Sequence, residues 1–143
     1  LVYTRTPKQD SDGIRYVDLE TLLKNSDYVS LHCPLTPQTK HLINRKTLEL
    51  MKPTAFLINT SRGALINEAE LIEALKEGVI AGAGLDVQEV EPPAFDSPLY
   101  DMDNVILTPH MGWKGLETRK RLLSILEGNV KAYFEGAPIN VVS

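Results

Sequence analysis

The sequence of 143 residues contains a single cysteine, Cys33, and no long hydrophobic run. One cysteine excludes a disulfide within the chain and fits a reducing compartment such as the cytoplasm. No apolar stretch approaches the roughly 20 residues that span a bilayer, and no signal peptide is visible. The sequence therefore favours a cytoplasmic protein without a membrane partner.

Concentrated charge of one sign is also missing. The net charge is −4, and the 15 basic and 19 acidic residues are spread along the chain. Nucleic acids and anionic membranes are bound by clustered positive charge, so both are excluded as expected partners. A hydrophobic content of 43% is ordinary for a soluble globular protein, and this length suits about one domain with one core.

Short apolar runs alternate with helical patterns, which predicts an α/β protein with a mainly parallel sheet. Strands are predicted at residues 1–3, 28–32, 55–59, 79–87 and 105–107, and helices at 18–25, 44–51, 67–77 and 113–135. The helix at 67–77 has the clearest signals: Asn67 as the N-cap, Glu70 as the partner in a capping box, and Gly78 as the stop. Residues 88–97 are predicted to form a loop.

Polar and small residues lie at the carboxyl ends of four of the predicted strands, at 32–34, 60–63, 86 and 109–110. Ligands of open α/β sheets bind at the carboxyl ends of the strands, so these positions predict a binding site. The alternative is ordinary loop composition, because loops are generally polar.

Three side chains near these strand ends could act together on a 2-oxo acid. The imidazole of His110 can exchange a proton near neutral pH. A carboxylate such as Glu91 beside it would fix its tautomer and favour the imidazolium. Arg62 offers a planar, two-pronged donor for a substrate carboxylate. Taken singly, each side chain also has a structural interpretation. His110 could be a packed histidine, Arg62 could form an ion pair with an acidic neighbour, and Glu91 could be a solvated loop charge.

Four segments resemble motifs of the D-isomer-specific 2-hydroxyacid dehydrogenases. They are HCPLTPQT at 32–39, the N-x-x-R-G pattern within 57–68, the G-x-D-V-x-x-x-E-P pattern within 82–92, and T-P-H within 108–113. The segments occur in the family's order and at its spacing, and the resemblance covers essentially the whole chain. It implies a partial Rossmann-like, doubly wound parallel sheet that lacks the first strand and the glycine-rich loop.

The resemblance implies that residues 1–143 are the C-terminal part of an NAD(P)-binding domain, with the helix at 113–135 returning toward an absent substrate domain. Because the glycine-rich turn would precede Leu1, the chain alone is expected to be inactive and to bind dinucleotide poorly. The missing strands would expose a sheet edge, which favours a homodimer.

The resemblance also assigns roles to residues. His110 would be the general acid in carbonyl reduction, Glu91 would pair with it, and Arg62 would hold the substrate carboxylate and carbonyl. Glu91 argues against formate as the substrate, since formate dehydrogenases of this superfamily have glutamine there. The residues expected to bind NAD or NADP are Thr4, Arg5, His32, Cys33, Pro34, Thr60, Ser61, Arg62, Asp86, His110 and Gly112. No metal is expected.

The segment around Arg5 lacks the acidic residue that binds the ribose of NAD in NAD-specific members. Arg5 and Thr4 could instead bind the 2′-phosphate of NADP, which favours NADPH; the alternative is that Arg5 is a solvated surface charge.

Trp113 and residues 136–142 resemble the glycerate dehydrogenase and hydroxypyruvate reductase branch, which implies hydroxypyruvate or glyoxylate as the 2-oxo acid. Gly112, Lys114 and Gly115 depart from that branch. Phosphoglycerate dehydrogenase, D-lactate dehydrogenase and a dinucleotide-sensing, co-repressor-like binding protein are the alternatives.

Overall fold

A computed structural model describes residues 1–6 and 8–142. The chain divides into two compact units, Leu1–Pro109 and His110–Ser143. The first unit opens with a single parallel bridge between Val2 and Tyr16, so the strand predicted at 1–3 is reduced to one bridged residue.

The first unit is built on a four-stranded parallel sheet in the order β1-β2-β3-β4. The strands are β1 (Tyr28–Leu31), β2 (Phe56–Asn59), β3 (Gly82–Leu85) and β4 (Val105–Leu107). This confirms the predicted parallel α/β, Rossmann-like class. The strand predicted at 79–87 is shorter than expected, because Val79 donates its N–H to the carbonyl of Ala74 and so belongs to the turn that precedes β3.

Three helices of the first unit begin where local capping signals place them. They are α1 (Leu19–Asn25), α2 (Arg45–Leu48) and α3 (Glu68–Lys76). Asp18, Asn44 and Asn67 are the N-caps, each accepting a backbone N–H three residues later. The short 3₁₀ helices Gly63–Leu65 and Pro98–Asp101 were not predicted.

The capping box predicted for α3 is wrong in its second half. The Asn67 side chain accepts the N–H of Glu70, as expected. The carboxylate of Glu70, however, accepts the N–H of Arg45, and the N–H of Asn67 bonds to the carbonyl of Ile43 at 2.8 Å. The Glu70 carboxylate therefore accepts the N–H of Arg45 in place of the N–H of Asn67. This bond connects α3 to the start of α2.

The core lies on one face of the sheet. It joins strand residues to residues of all three helices, among them Val29, Leu31, Leu57, Ala83 and Leu85 with Leu23, Leu48, Leu71 and Leu75. Successive strand residues point to opposite faces, so the alternate positions form the other face. Within this unit Tyr28, Phe56 and Ile106 lie on that face with exposed fractions of 69%, 39% and 73%.

The second unit is dominated by helix α4 (Leu116–Phe134), which begins later than the predicted 113 because Lys114 forms a turn with Met111. Gly128 lies inside α4 without interrupting it, and none of the helix's residues is buried. None of the helices within the described residues is long and apolar enough to cross a membrane.

Candidate active site

A cleft of about 440 Å³ lies at the carboxyl ends of β1 and β2. It is lined by His32, Cys33, Pro34, Leu35, Ser61 and Arg62. The hydroxyl of Ser61 donates to the carbonyl of Cys33 at 2.8 Å and so joins its two walls. Five of the predicted cofactor-binding residues therefore meet in one cleft, with Leu35 as an unpredicted member. Thr4, Arg5, Thr60 and Asp86 are not among the residues that line it.

The turn after β2 is held by Asn59, which is completely buried. Its side-chain amide donates to the carbonyl of Arg62 at 2.9 Å, and its side-chain oxygen accepts the N–H of Ser61 at 3.0 Å. Both polar atoms of the amide are satisfied inside the turn that carries Arg62. Asn59 is the first residue of the N-x-x-R-G pattern, and its role in holding this turn is visible only in the structure.

Arg62 itself is exposed, and its Nη1 donates to the carbonyl of Ser61 at 2.8 Å. This bond anchors one side of the guanidinium on the turn. A planar guanidinium with several donors binds a carboxylate in two-pronged fashion. The turn therefore places Arg62, a side chain whose chemistry suits an anionic group, in the lining of the cleft.

Asp86 follows β3 and is almost completely buried. Its carboxylate accepts the hydroxyl proton of Thr108, and its N–H bonds to the carbonyl of Asn59 at 2.9 Å. These bonds fix the carboxylate at the carboxyl end of the sheet, beside the turn that carries Arg62. Thr108 is a supporting residue that the sequence analysis did not single out.

The loop that carries Glu91 packs directly on the turn that carries Arg62. A Cβ atom added to Gly63 would lie 1.8 Å from the carbonyl oxygen of Gln88, so the two backbones approach more closely than any other residue type allows. The N–H of Gln88 donates to Oε1 of Glu91 at 3.1 Å. Arg62 and Glu91 thus lie on adjacent loops of the same unit.

A second group of side chains, here called the Glu89 cluster, consists of His41, Glu68 and Glu89. Nε2 of His41 lies 2.6 Å from Oε1 of Glu89. The N–H of Glu68 donates to Oε2 of Glu89 at 3.1 Å, and the N–H of Glu89 donates to the Glu68 carboxylate at 2.9 Å. No local pattern predicts this cluster, because its members are distant in sequence.

The Glu89 cluster favours the ionised form of Glu89. Burial raises the pKa of Glu89, but the hydrogen bonds from His41 and from the N–H of Glu68, together with the charges of His41 and Lys40, outweigh it. The pKa of Glu89 is therefore below its ordinary value of 4.5 in the folded chain.

The lowered pKa predicts an acid-sensitive contribution to folding. A carboxyl group with a lower pKa in the folded state stabilises the fold above its unfolded pKa, and this contribution is lost as the pH falls through the folded pKa. We expect the free energy of unfolding to fall less steeply with acid in Glu89→Gln than in wild type, as measured by urea unfolding from about pH 6 to about pH 3. Glu73→Gln is the control, since Glu73 pairs with exposed Lys76 on the same helix. An unchanged slope in Glu89→Gln would contradict the prediction.

His110 is the first residue of the second unit and has a left-handed backbone with a φ of 49°. Its carbonyl accepts the indole N–H of Trp113 at 3.1 Å. Residues other than glycine pay about 1–3 kcal/mol for such a conformation, and it recurs at functional sites. Gly112 belongs to the same turn, which directly follows Pro109 at the end of the first unit.

A family model described as "D-isomer specific 2-hydroxyacid dehydrogenase, NAD binding domain" matches residues 1–112. This range includes Arg62, Glu91 and His110.

Two curated relatives and one solved structure show the extent of the similarity. Glyoxylate reductase of Thermococcus litoralis is 49% identical over 100% of this chain and 44% of its own length. Glycerate dehydrogenase of Methylorubrum extorquens is 50% identical over 92% of this chain and 42% of its own length. The crystal structure of the TT0316 protein from Thermus thermophilus is 46% identical, has a TM-score of 0.91, and is matched over 99% of this chain and 45% of that chain. The chain therefore spans less than half the length of these relatives.

Proposed function

The chain belongs to the D-isomer-specific 2-hydroxyacid dehydrogenase family, and we propose that the protein containing it interconverts a small 2-oxo acid and its D-2-hydroxy acid. Hydroxypyruvate and glyoxylate are the proposed oxo acids, since a glyoxylate reductase and a glycerate dehydrogenase are among the relatives. The observation that carries the proposal is the packing of Gly63 on Gln88, which sets the Arg62 turn beside the loop of Glu91.

The position and the size of the cleft support dinucleotide binding. It lies at the carboxyl ends of parallel strands, where nucleotides bind, and its volume of about 440 Å³ is within the range of ligand pockets. We propose that His32, Cys33 and Pro34 contact the adenosine side. The nicotinamide side is then assigned to the backbone at Thr60 and Ser61, to Asp86, and to Gly112. A bound nicotinamide cofactor would supply or accept the hydride that is exchanged with C2 of the substrate.

The protein's own groups would bind the substrate and move its proton. Arg62 would hold the carboxylate and orient the carbonyl. His110 would donate a proton to the carbonyl oxygen during reduction and accept it during oxidation. Glu91 would favour the imidazolium form of His110 by its negative charge. Each role uses the ordinary chemistry of its side chain.

The reaction is tested by following NADH and NADPH oxidation by the intact gene product with glyoxylate and with hydroxypyruvate. We expect turnover of at least one of the two acids, and formation of the D isomer where the product is chiral. A failure to oxidise either nucleotide with either acid would overturn the proposed reaction.

We also propose NADPH as the preferred cofactor, because exposed Arg5 and the neighbouring Thr4 could bind a 2′-phosphate. Arg5→Ala is expected to lower kcat/KM for NADPH by about tenfold and to leave that for NADH unchanged, since one charged hydrogen bond is worth about 1.5–3 kcal/mol. Lys8→Ala, in the same segment, is the matched control. An efficiency at least about tenfold higher with NADH than with NADPH in the wild-type protein would overturn the preference.

Three further parts of the proposal concern the oligomeric state, the cellular location and the domain organisation of the enzyme. We propose a homodimer, supported by the exposed Tyr28, Phe56 and Ile106 on one face of the sheet. The single cysteine supports a cytoplasmic location. We also propose that the chain is the C-terminal part of its NAD(P)-binding domain and that α4 returns toward a substrate domain.

A further inference from the structure

The Glu89 cluster lies where two loops meet the start of α3. His41 belongs to the segment that follows the cleft residues Pro34 and Leu35, and its N–H donates to the carbonyl of Ala64 at 2.9 Å. Glu68 is the first residue of α3. Glu89 lies two positions before Glu91. The cluster therefore links the cleft wall, the segment that follows Arg62, and the loop of the proposed catalytic carboxylate.

The bonds between Glu68 and Glu89 are reciprocal. Each residue's carboxylate accepts the backbone N–H of the other, at 3.1 Å and 2.9 Å. A carboxylate that accepts a backbone N–H forms one of the stronger hydrogen bonds in proteins, and two such bonds fix position as well as distance. The backbone of Glu89 is thus fixed to the start of α3, while its neighbour Gln88 packs on Gly63.

His41 completes the arrangement in a backbone conformation that favours glycine. Its φ is 53°, in the left-handed region that glycine adopts freely and that few other residues adopt. Its ring lies 2.6 Å from Glu89, and both side chains are about one-third exposed or less. The half-buried pair is less screened by water than a surface ion pair.

We propose that His41, Glu68 and Glu89 are positioning residues of the enzyme that fix the loop of Glu91 relative to Arg62. This inference rests on the proposed function, because it takes Glu91 as part of the catalytic machinery. The cluster acts on Glu91 through the backbone of residues 88–91, to which the N–H of Glu89 belongs.

Loss of the Glu89 cluster is expected to affect turnover more than substrate binding. Arg62 is held by Asn59 inside its own turn, so loss of the cluster should leave binding of the substrate carboxylate intact. A shift of Glu91 by a fraction of an ångström should instead weaken its proposed interaction with His110 and so slow the proton transfer. The expected signature is a lower kcat with little change in KM.

The experiment uses the intact gene product with its 2-oxo acid and NADPH. His41→Gly removes the ring while relieving the backbone, since glycine adopts a positive φ freely. Glu89→Gln keeps the shape and the acceptor for Glu68 but removes the charge that faces His41. His41→Gln restores a hydrogen-bond donor, and Glu73→Gln is the control on the outer face of α3.

We expect His41→Gly and Glu89→Gln each to lower kcat about tenfold, with KM changed by less than about twofold. The double variant should be no slower than the slower single variant, because both changes break the same interaction. His41→Gln should recover most of kcat. Amide hydrogen exchange at Gln88 and Glu89 should rise in His41→Gly, which reports the loop without relying on activity.

Two results would overturn the inference. One is a kcat within about twofold of wild type in His41→Gly and Glu89→Gln, and the other is a rise in KM with kcat unchanged. Glu91→Gln distinguishes this failure from failure of the proposed function. If Glu91→Gln lowers kcat and the cluster variants do not, the positioning role alone is wrong; if Glu91→Gln is also unaffected, the role proposed for Glu91 is wrong as well.

Discussion

Replacing His110 with asparagine is expected to lower kcat by about 10²- to 10⁴-fold, because the protein would lose its proposed proton donor to the carbonyl oxygen. Asparagine tolerates the left-handed backbone that His110 adopts at a φ of 49°, so the change removes the imidazole with little disturbance of the turn. The measurement is steady-state reduction of glyoxylate or hydroxypyruvate by the intact gene product.

The control for this variant is Lys114→Gln, in the same turn, which should keep wild-type turnover. If His110→Asn retained a kcat within about tenfold of wild type, general acid catalysis by His110 would be ruled out.

Gly63→Ala is expected to lower kcat/KM by at least about 10²-fold, because misplacement of reacting groups by about an ångström has effects of this size. The added Cβ would lie 1.8 Å from the carbonyl oxygen and 2.0 Å from the carbonyl carbon of Gln88. Both atoms are backbone, so no side chain can rotate away, and the Arg62 turn must separate from the Glu91 loop. The same overpacking should lower the free energy of unfolding by about 1–3 kcal/mol.

The matched control for Gly63→Ala is Gly128→Ala. A Cβ at Gly128 would meet nothing within 4 Å in the described chain, and the residue lies inside helix α4. Alanine is about 0.5–1 kcal/mol more favourable than glycine in a helix, so this variant should be at least as stable as wild type. A Gly63→Ala protein as active and as stable as the Gly128→Ala protein would contradict the packing argument.

Elements with strong local signals were predictable from the sequence. Helix α3 lies within one residue of its predicted bounds at each end, because Asn67 and Gly78 act on their own neighbours. The predicted strand at 105–107 matches β4, because a short continuous apolar run is typical of a strand in a parallel sheet. The cleft residues that follow β1 and β2, except Leu35, were also predicted, because they come directly after strand ends.

Contacts between distant segments were not predictable. Glu70 has the spacing of a capping box, yet its carboxylate accepts the N–H of Arg45, which lies 25 residues away. The pairing of His41 with Glu89 spans 48 residues and follows only from the packing of two loops. The sequence therefore indicated five of the six residues that line the cleft, while the bonds around Arg62 and Glu91 required the structure.

Trp113 gives the protein an optical signal of its own. It is the single tryptophan of the chain, it is about half exposed (52%), and its indole N–H is bonded to the carbonyl of His110. Indole emission depends on hydrogen bonding and on contact with water, so the tryptophan fluorescence that this chain contributes comes from this one turn. A natural fluorophore is thus hydrogen-bonded to the backbone of His110, the proposed proton donor. Rearrangements of this turn can be followed in real time by stopped-flow fluorescence.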